Sequence, residues 1–199
     1  MRLEILYALI VFSFVSAITP GPNNLMLLTS GVNFGFRRSI PHMLGVGLGF
    51  ALMVGLVGVG LDALFAQFPQ LLPTMRYLGA AYLLWLAFKL AMAGPVGETE
   101  YRGNPLSFLG AAAFQWINPK AWVIAVSALT AYAVSEDYTR TVIIVALVSG
   151  LVSLPCIAAW VLFGTGMRRV LSNPRFVRPF NIAMALMLVA SIVPVFTEG

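Results

Sequence analysis

Charged and strongly polar positions fall into a few narrow clusters along this chain, and long apolar stretches run between them. No charge stands between Glu4 and Arg37, and similar clean intervals follow. A bilayer-spanning helix needs about 20 mostly apolar residues. The pattern therefore predicts an all-α integral membrane protein with six spans, near residues 4–37, 42–62, 71–93, 106–134, 141–164 and 179–196. The third is the least clean, because Arg76 and Lys89 must lie near opposite membrane faces and reach outward. Short connections predict antiparallel neighbours, and a five-span arrangement, with one stretch failing to cross, is the competing topology. The opening run to Ser16-Ala17 resembles a secretory signal. Glu4 spoils its basic leader, however, and uncharged sequence continues to Phe36, so it reads as a retained first span.

Composition agrees with lipid as the solvent. Of 199 residues, 60% are hydrophobic and 10% charged, and the mean hydropathy is +0.91. Ordinary soluble domains are about 45–50% apolar and about 25% charged. A chain this short cannot hide the excess in a soluble core. One transmembrane domain over residues 1–199 leaves no room for a separate soluble one. A net charge of +5 raises the question of nucleic acid. The basic residues sit mostly in gaps between apolar runs, which excludes that partner and leaves membrane lipid. Arg37, Arg38, Lys89, Arg102, Arg168, Arg169, Arg175 and Arg178 fall on one side, Arg2, Arg76 and Arg140 on the other. The positive-inside rule puts the richer side in the cytoplasm and both termini outside. The single cysteine, Cys156 beside Pro155, excludes an internal disulfide or a cysteine metal cluster and reads as a packing residue.

An internal repeat is visible as well. The first and fourth stretches are both too long for one straight crossing, and each is interrupted by proline deep inside. The first carries Thr19-Pro20-Gly21-Pro22-Asn23-Asn24 and the fourth Asn118-Pro119-Lys120; Pro20 and Pro119 are 99 positions apart. The chain thus divides into three plus three, about 1–95 and 104–199, and an odd number of crossings per unit makes the repeats inverted. Paired Gly/Pro-interrupted helices in two halves point to the midplane site of a transporter.

Proline removes a backbone donor and clashes with the preceding turn. The first half-helix should stop near Ile18, and a second should start at Pro22, a favoured first-turn residue. Its open amides and positive dipole end would then face the membrane interior, where a carboxylate could bind. Asn23, Asn24 and Thr19 add polar side chains. The plainer alternative is a kink that only shapes packing. Lys120 lies near the centre of the fourth stretch, where an ammonium costs roughly 2.5–3.5 kcal/mol to insert. It should point into the bundle, to meet substrate or, on the plainer reading, to cap carbonyls freed by Pro119. His42, the lone histidine, reads as interfacial first and as a proton relay second; Asp62 marks the other end of that span. Gly45, Gly47, Gly49, Gly55, Gly58 and Gly60 permit close helix approach, for packing first and as a sliding surface for conformational change second; a homo-oligomer is a separate candidate partner. The four tryptophans mix interface anchoring with bundle filling. No Walker loop, metal-spaced set or nucleophile–His–acid arrangement occurs, so no cofactor, metal or catalytic residue is expected.

These residues resemble the LysE/RhtB family of bacterial amino-acid exporters. The matching stretches are Thr19-Pro20-Gly21-Pro22-Asn23-Asn24 with Leu25-Met26, Gly35-Phe36-Arg37-Arg38 leading to Leu44-Gly45, Leu78–Leu86 and Asn118-Pro119-Lys120. Within the family the likeness is greatest to the cysteine and O-acetylserine exporter branch. The resemblance implies a secondary transporter in the bacterial inner membrane that exports a small amino acid or derivative. Many relatives carry an acidic residue about where this chain has Phe50, so a carboxylate-dependent mechanism and a cationic substrate do not carry over. The expected substrate-binding residues are Thr19, Pro20, Gly21, Pro22, Asn23, Asn24, Asn118, Pro119 and Lys120. The competing classes are a non-transporting membrane subunit or scaffold, and a membrane-embedded enzyme. The buried charge of Lys120 argues against the first, and the missing acid/base set against the second.

Overall fold

The computed structural model describes residues 1–61, 67–68, 70–92, 104–133, 137–171 and 173–190. Among them every regular element is helical. In chain order these are α1 (Leu3–Ile18), α2 (Pro22–Leu56) running into a π-helical turn (Val57–Leu61), α3 (Leu71–Ala91), and α4 (Phe108–Phe114) running into a 3₁₀ turn (Gln115–Ile117). They continue with α5 (Pro119–Tyr132), α6 (Tyr138–Met167) and α7 (Pro174–Ala190). Asp62, Arg102, Glu136 and the sixth apolar stretch beyond Ala190 lie outside the described residues, as do the side chains of Arg76 and Lys89.

Two helices, Pro22–Gly60 and Tyr138–Met167, are individually long and apolar enough to cross a membrane. The faces of α6 show which solvent suits them. Its exposed stripe is Ile143, Leu147 and Leu151, the last 65% exposed, whereas its buried face carries Ser149, Ser153 and Gly164. A helix in water turns its large apolar residues inward. Here large apolar residues face out, while small polar residues join Val142, Val145, Ile157 and Val161 on the inner face, as hydrocarbon surroundings permit.

α2 is bent sharply at Gly35, whose φ of 74° and ψ of 175° belong to a region where a side chain would be strained. Two serines staple the bend. Ser39 Oγ donates to the Gly35 carbonyl at 2.8 Å and pairs with Ser30 Oγ across it at 2.9 Å. The two arms of α2 then serve different parts of the core. Leu25, Leu28 and Val32 pack with α3 and α7 through Ala80, Leu83, Ala87, Met184 and Leu188. Met53 and Val54 pack with α1, α5 and α6 through Leu9, Ala125, Leu129 and Val145. A third cluster, Leu27, Met43, Val46, Ala111, Ile157 and Val161, ties the two arms to α4 and α6.

Glycines bring these helices close enough for backbones to touch. A methyl at Gly164 would stand 2.1 Å from the Leu28 carbonyl oxygen, and one at Gly31 would stand 2.2 Å from that of Val161. Gly45 and Gly49 meet α4 at Phe108 and Ala112 in the same way, while Gly47 meets Leu154 and Gly58 meets Val142. Such contact trades side-chain volume for close packing, the usual basis of helix association in lipid.

Gly164→Ala should therefore force α2 and α6 apart. Overpacking typically destabilises by about 1–3 kcal/mol, and here the obstacle is backbone, which yields less than a side chain. Gly166→Ala is the control, because nothing lies within 4 Å of the added methyl. Thermal unfolding in detergent should show a clear loss for the first and little change for the second.

Candidate functional site

The site begins where α1 ends. Pro20 cannot donate a backbone hydrogen bond, so the carbonyls in the last turn of α1 need other partners. Several are supplied from distant parts of the chain. Val15 O accepts from the Thr19 amide at 3.1 Å and also from the Thr19 hydroxyl. Ala17 O and Thr19 O both accept from Asn24 Nδ2, each at 2.8 Å. Ile18 O accepts from Trp160 Nε1 on α6 at 3.2 Å. Thr19 O and Pro20 O accept from Lys120 Nζ at 2.6 and 3.2 Å.

On the other side of this interruption α2 opens with Pro22 in its first turn, after an extended Gly21. Leu25 N returns to Gly21 O at 3.0 Å. The amides of Asn23 and Asn24 belong to the first turn, where a helix supplies no acceptor. Gly21 is small for a reason of its own, since a methyl there would lie 2.7 Å from Cδ of Lys120.

The second half is built differently. The 3₁₀ turn ends at Asn118, an extended residue that caps α5 before Pro119. Asn118 Oδ1 accepts from Lys120 N at 3.2 Å, and its carbonyl accepts from Ala121 N at 3.0 Å and Trp122 N at 3.3 Å. The first amides of α5 are thus engaged, so of these two helix starts the one at α2 is open. Nor does Lys120 serve the carbonyls beside Pro119: its ammonium reaches across to the other interruption, about 100 positions back. An ammonium has three donors. Two are held by Thr19 and Pro20, which leaves one.

A second cross-link joins the halves. Asn23 Nδ2 donates to Gln115 Oε1 at 2.8 Å, and Gln115 Nε2 returns to Asn23 Oδ1 at 3.3 Å while also reaching Ala111 O at 2.8 Å. Gln115 is fully buried, and its amide has partners on both ends.

Between these elements lies a cavity of about 570 Å³, counted out to its open mouth. Five of the nine expected site residues line it: Gly21, Asn23, Asn24, Asn118 and Lys120. Thr19, Pro20, Pro22 and Pro119 do not. Thr19 and Pro20 contribute through the carbonyls that hold Lys120, and the other two prolines open their helices. Several lining residues escaped the sequence reading. Gln115 is one, and four hydroxyls are others: Ser13 and Ser16 from α1, Ser149 and Ser153 from α6. Ser13 and Ser149 approach within 3.4 Å. Apolar walls come from Val46, Phe50, Ala121, Ile124 and Ile157. The available signal was spacing: serines three or four apart inside apolar helices share a face, and a glutamine inside such a stretch is itself unusual. Lys120 is the only ionisable side chain among the described residues that line the cavity.

The arrangement can receive a small polar molecule, with donors at one wall, hydroxyls at another and apolar surface between. Comparison with known proteins now places the chain. The family model described as LysE type translocator matches residues 14–195. The chain belongs to this family and is a membrane transporter rather than an enzyme. Among its relatives is the "Cysteine/O-acetylserine efflux protein" of Escherichia coli strain K12, 31% identical over 198 residues, 98% of this chain and 100% of that one. The protein of the same name from Shigella sonnei strain Ss046 matches to the same extent. That from Salmonella typhi is 31% identical over 194 residues, 96% of this chain and 97% of the relative. No solved structure matches the chain.

Asn24 carries the tightest local demand, since one buried amide nitrogen serves two carbonyls. Asn24→Ala should lower thermal stability by about 1–3 kcal/mol, the usual effect of stranding buried acceptors. Asn24→Asp should be at least as harmful, because it sets a carboxylate or its acid against those carbonyls. Unfolding temperatures equal to the parent's for both variants would mean that water reaches the end of α1.

Proposed function

We propose that this chain is a secondary transporter that exports a small neutral amino acid or close derivative across a bacterial inner membrane. In this reading six spans form two inverted three-helix repeats within one domain. α1 with the first arm of α2 makes the first crossing, and α4 with α5 makes the fourth, both interrupted near the midplane. The basic gaps face the cytoplasm and the termini lie outside. The observation that carries the reading is the single cavity wall formed by both interruptions, with Lys120 and the open start of α2 on it.

The chemistry follows from the donors. A substrate carboxylate takes the remaining N–H of Lys120 and the first amides of α2, at the positive end of the helix dipole. Asn23, Asn24 and Asn118 fix the geometry of that corner, Gly21 leaves room for the lysine stem, and Pro22 and Pro119 set the two helix starts. Thr19 and Pro20 hold the ammonium in place. A substrate ammonium finds hydroxyl oxygens in Ser13, Ser16, Ser149 and Ser153. With no carboxylate among the described lining residues, a cationic side chain has no counter-ion there, which favours neutral substrates. Cysteine and O-acetylserine, named for the relatives, are of suitable size and polarity. A scaffold without transport has no use for a cavity with polar groups on its walls, and an ammonium within a span is a burden to it.

The test is Lys120→Met beside Lys120→Arg. Methionine keeps much of the stem and removes the charge, so binding and efflux of carboxylate-bearing substrates should fall at least tenfold while the protein still inserts. Arginine should also transport poorly, because its planar fork cannot sit on two adjacent carbonyls and Gly21 as an ammonium does. Efflux of a panel of labelled amino acids from loaded vesicles measures both. A methionine variant that exports normally removes the carboxylate role. One that fails to insert shows that Lys120 chiefly caps the carbonyls of Thr19 and Pro20.

A further inference from the structure

His42 is the one buried side chain among the described residues whose polar atoms lack partners. It is 2% exposed, and neither Nδ1 nor Nε2 has a hydrogen bond. The sequence reading put it at the interface, beside Arg37 and Arg38. In the structure its side chain is covered by protein on that part of α2. Burying an unpaired polar group costs roughly 1–3 kcal/mol, so an apolar residue would suit this position better if packing were all that mattered.

Its place on α2 is informative. His42, Val46 and Phe50 are spaced four apart and share one face of the helix. Val46 and Phe50 line the cavity, and His42 lies one turn beyond them, toward the arginine-rich end. Gly45, three residues along α2, touches α4, so this turn of α2 is where it closes against α4.

We infer that His42 is the proton-carrying residue of the transport cycle, stationed between the cavity and the arginine-rich end. This rests on the transporter reading above. Among the described residues, the neighbouring elements offer no competing acid or base. Neither α4 nor its 3₁₀ turn holds an ionisable residue. Cys156 of α6 turns its thiol to the carbonyls of Phe14 and Val152. On the same helix, Tyr138 and Arg140 lie at the far end, where Arg140 stands 3.7 Å from Asp137. On α5, Lys120 is held by Thr19 and Pro20, and Tyr132 reaches Ala8 O. Along α2 itself, Arg38 is tied to Asn104 and stacked on Phe34, and Arg37 precedes it. Past the ends of α6, Arg168 and Arg169 are exposed, as are Arg175 and Arg178 of α7. Imidazole is the side chain whose ordinary pKa lies close to neutrality. When the path between α2 and α4 opens, water reaches the ring. One nitrogen then takes a proton from, or returns it to, that water, with no other atom transferred. The closed form keeps the ring dry and the proton from leaking.

The experiment compares two reactions in reconstituted vesicles. Counterflow exchanges labelled for unlabelled amino acid and needs no net proton movement; net flux driven by an imposed pH gradient does. Parent protein should perform both. His42→Gln keeps size and polarity without titrating, and should retain counterflow within about threefold while losing gradient-driven flux at least tenfold. His42→Leu should behave alike and be no less stable in thermal unfolding. Gradient-driven flux near the parent's level in either variant overturns the inference. So does a parallel loss of both reactions in a stably inserted variant, which marks a packing role. A parent that exchanges substrate but ignores the pH gradient also overturns it, leaving the transporter reading intact. A parent that exchanges no amino acid sinks that reading, and this inference with it.

Discussion

The need of backbone carbonyls for partners where a helix stops is the constraint from which the centre of this protein follows. Pro20 removes a donor at the end of α1, and the carbonyls of that last turn must find partners elsewhere. The structure answers with side chains from three other segments: Asn24 from α2, Trp160 from α6 and Lys120 from α5. Each of these must be held in place by its own helix. Meeting the needs of one interrupted turn thereby fixes the relative positions of α1, α2, α5 and α6. The cavity is the space left between them.

That arrangement needs helices that approach closely without filling the space. Backbone contacts at Gly31 and Gly164 bring α2 against α6, and Gly45 with Gly49 brings α2 against α4. A side chain at any of these would push the walls outward and break the hydrogen bonds that cross between them. The positive φ at Gly35 lets the two arms of α2 diverge toward separate clusters. Close contact and sharp bending are therefore complementary uses of the same residue type along one helix.

How far the sequence disclosed this depends on the range of each interaction. The membrane character follows from spacing alone, because the uncharged interval from Glu4 to Arg37 has no soluble equivalent in a chain of this composition. Prolines act within a turn, so the chemistry of Pro20, Pro22 and Pro119 is written locally. The partner of Lys120 is not. The sequence points the ammonium into the bundle toward substrate, with capping of carbonyls beside Pro119 as the plainer alternative, whereas it meets Thr19 and Pro20, between α1 and α2. Gln115 went unremarked because a glutamine carries no charge to draw notice, and its mate Asn23 is 92 positions away. Ser13, Ser16, Ser149 and Ser153 are common residues that gain meaning only when α1 faces α6. That His42 is buried inside the protein is equally silent in the sequence, because periodicity does not reveal which neighbours cover that face of α2.

The proposed function turns these structural bonds into part of a working cycle. Lys120 has one donor beyond the two that hold Thr19 and Pro20. A carboxylate in the cavity is a stronger partner for an ammonium than a neutral carbonyl, so a bound substrate competes for the donors that hold the end of α1. If it draws the ammonium away, Thr19 O keeps Asn24 as a partner, but Pro20 O has lost its bond to the lysine. The loop between α1 and α2 is then less tightly held than the rest of the wall. Motion starting there passes to α6 through Trp160 and to the 3₁₀ turn through Asn23 and Gln115. On the proposed function, occupancy of the cavity and the packing of the two halves are linked through one side chain. A residue that only capped carbonyls would need no charge to do so, since an asparagine amide caps two of them a few residues away.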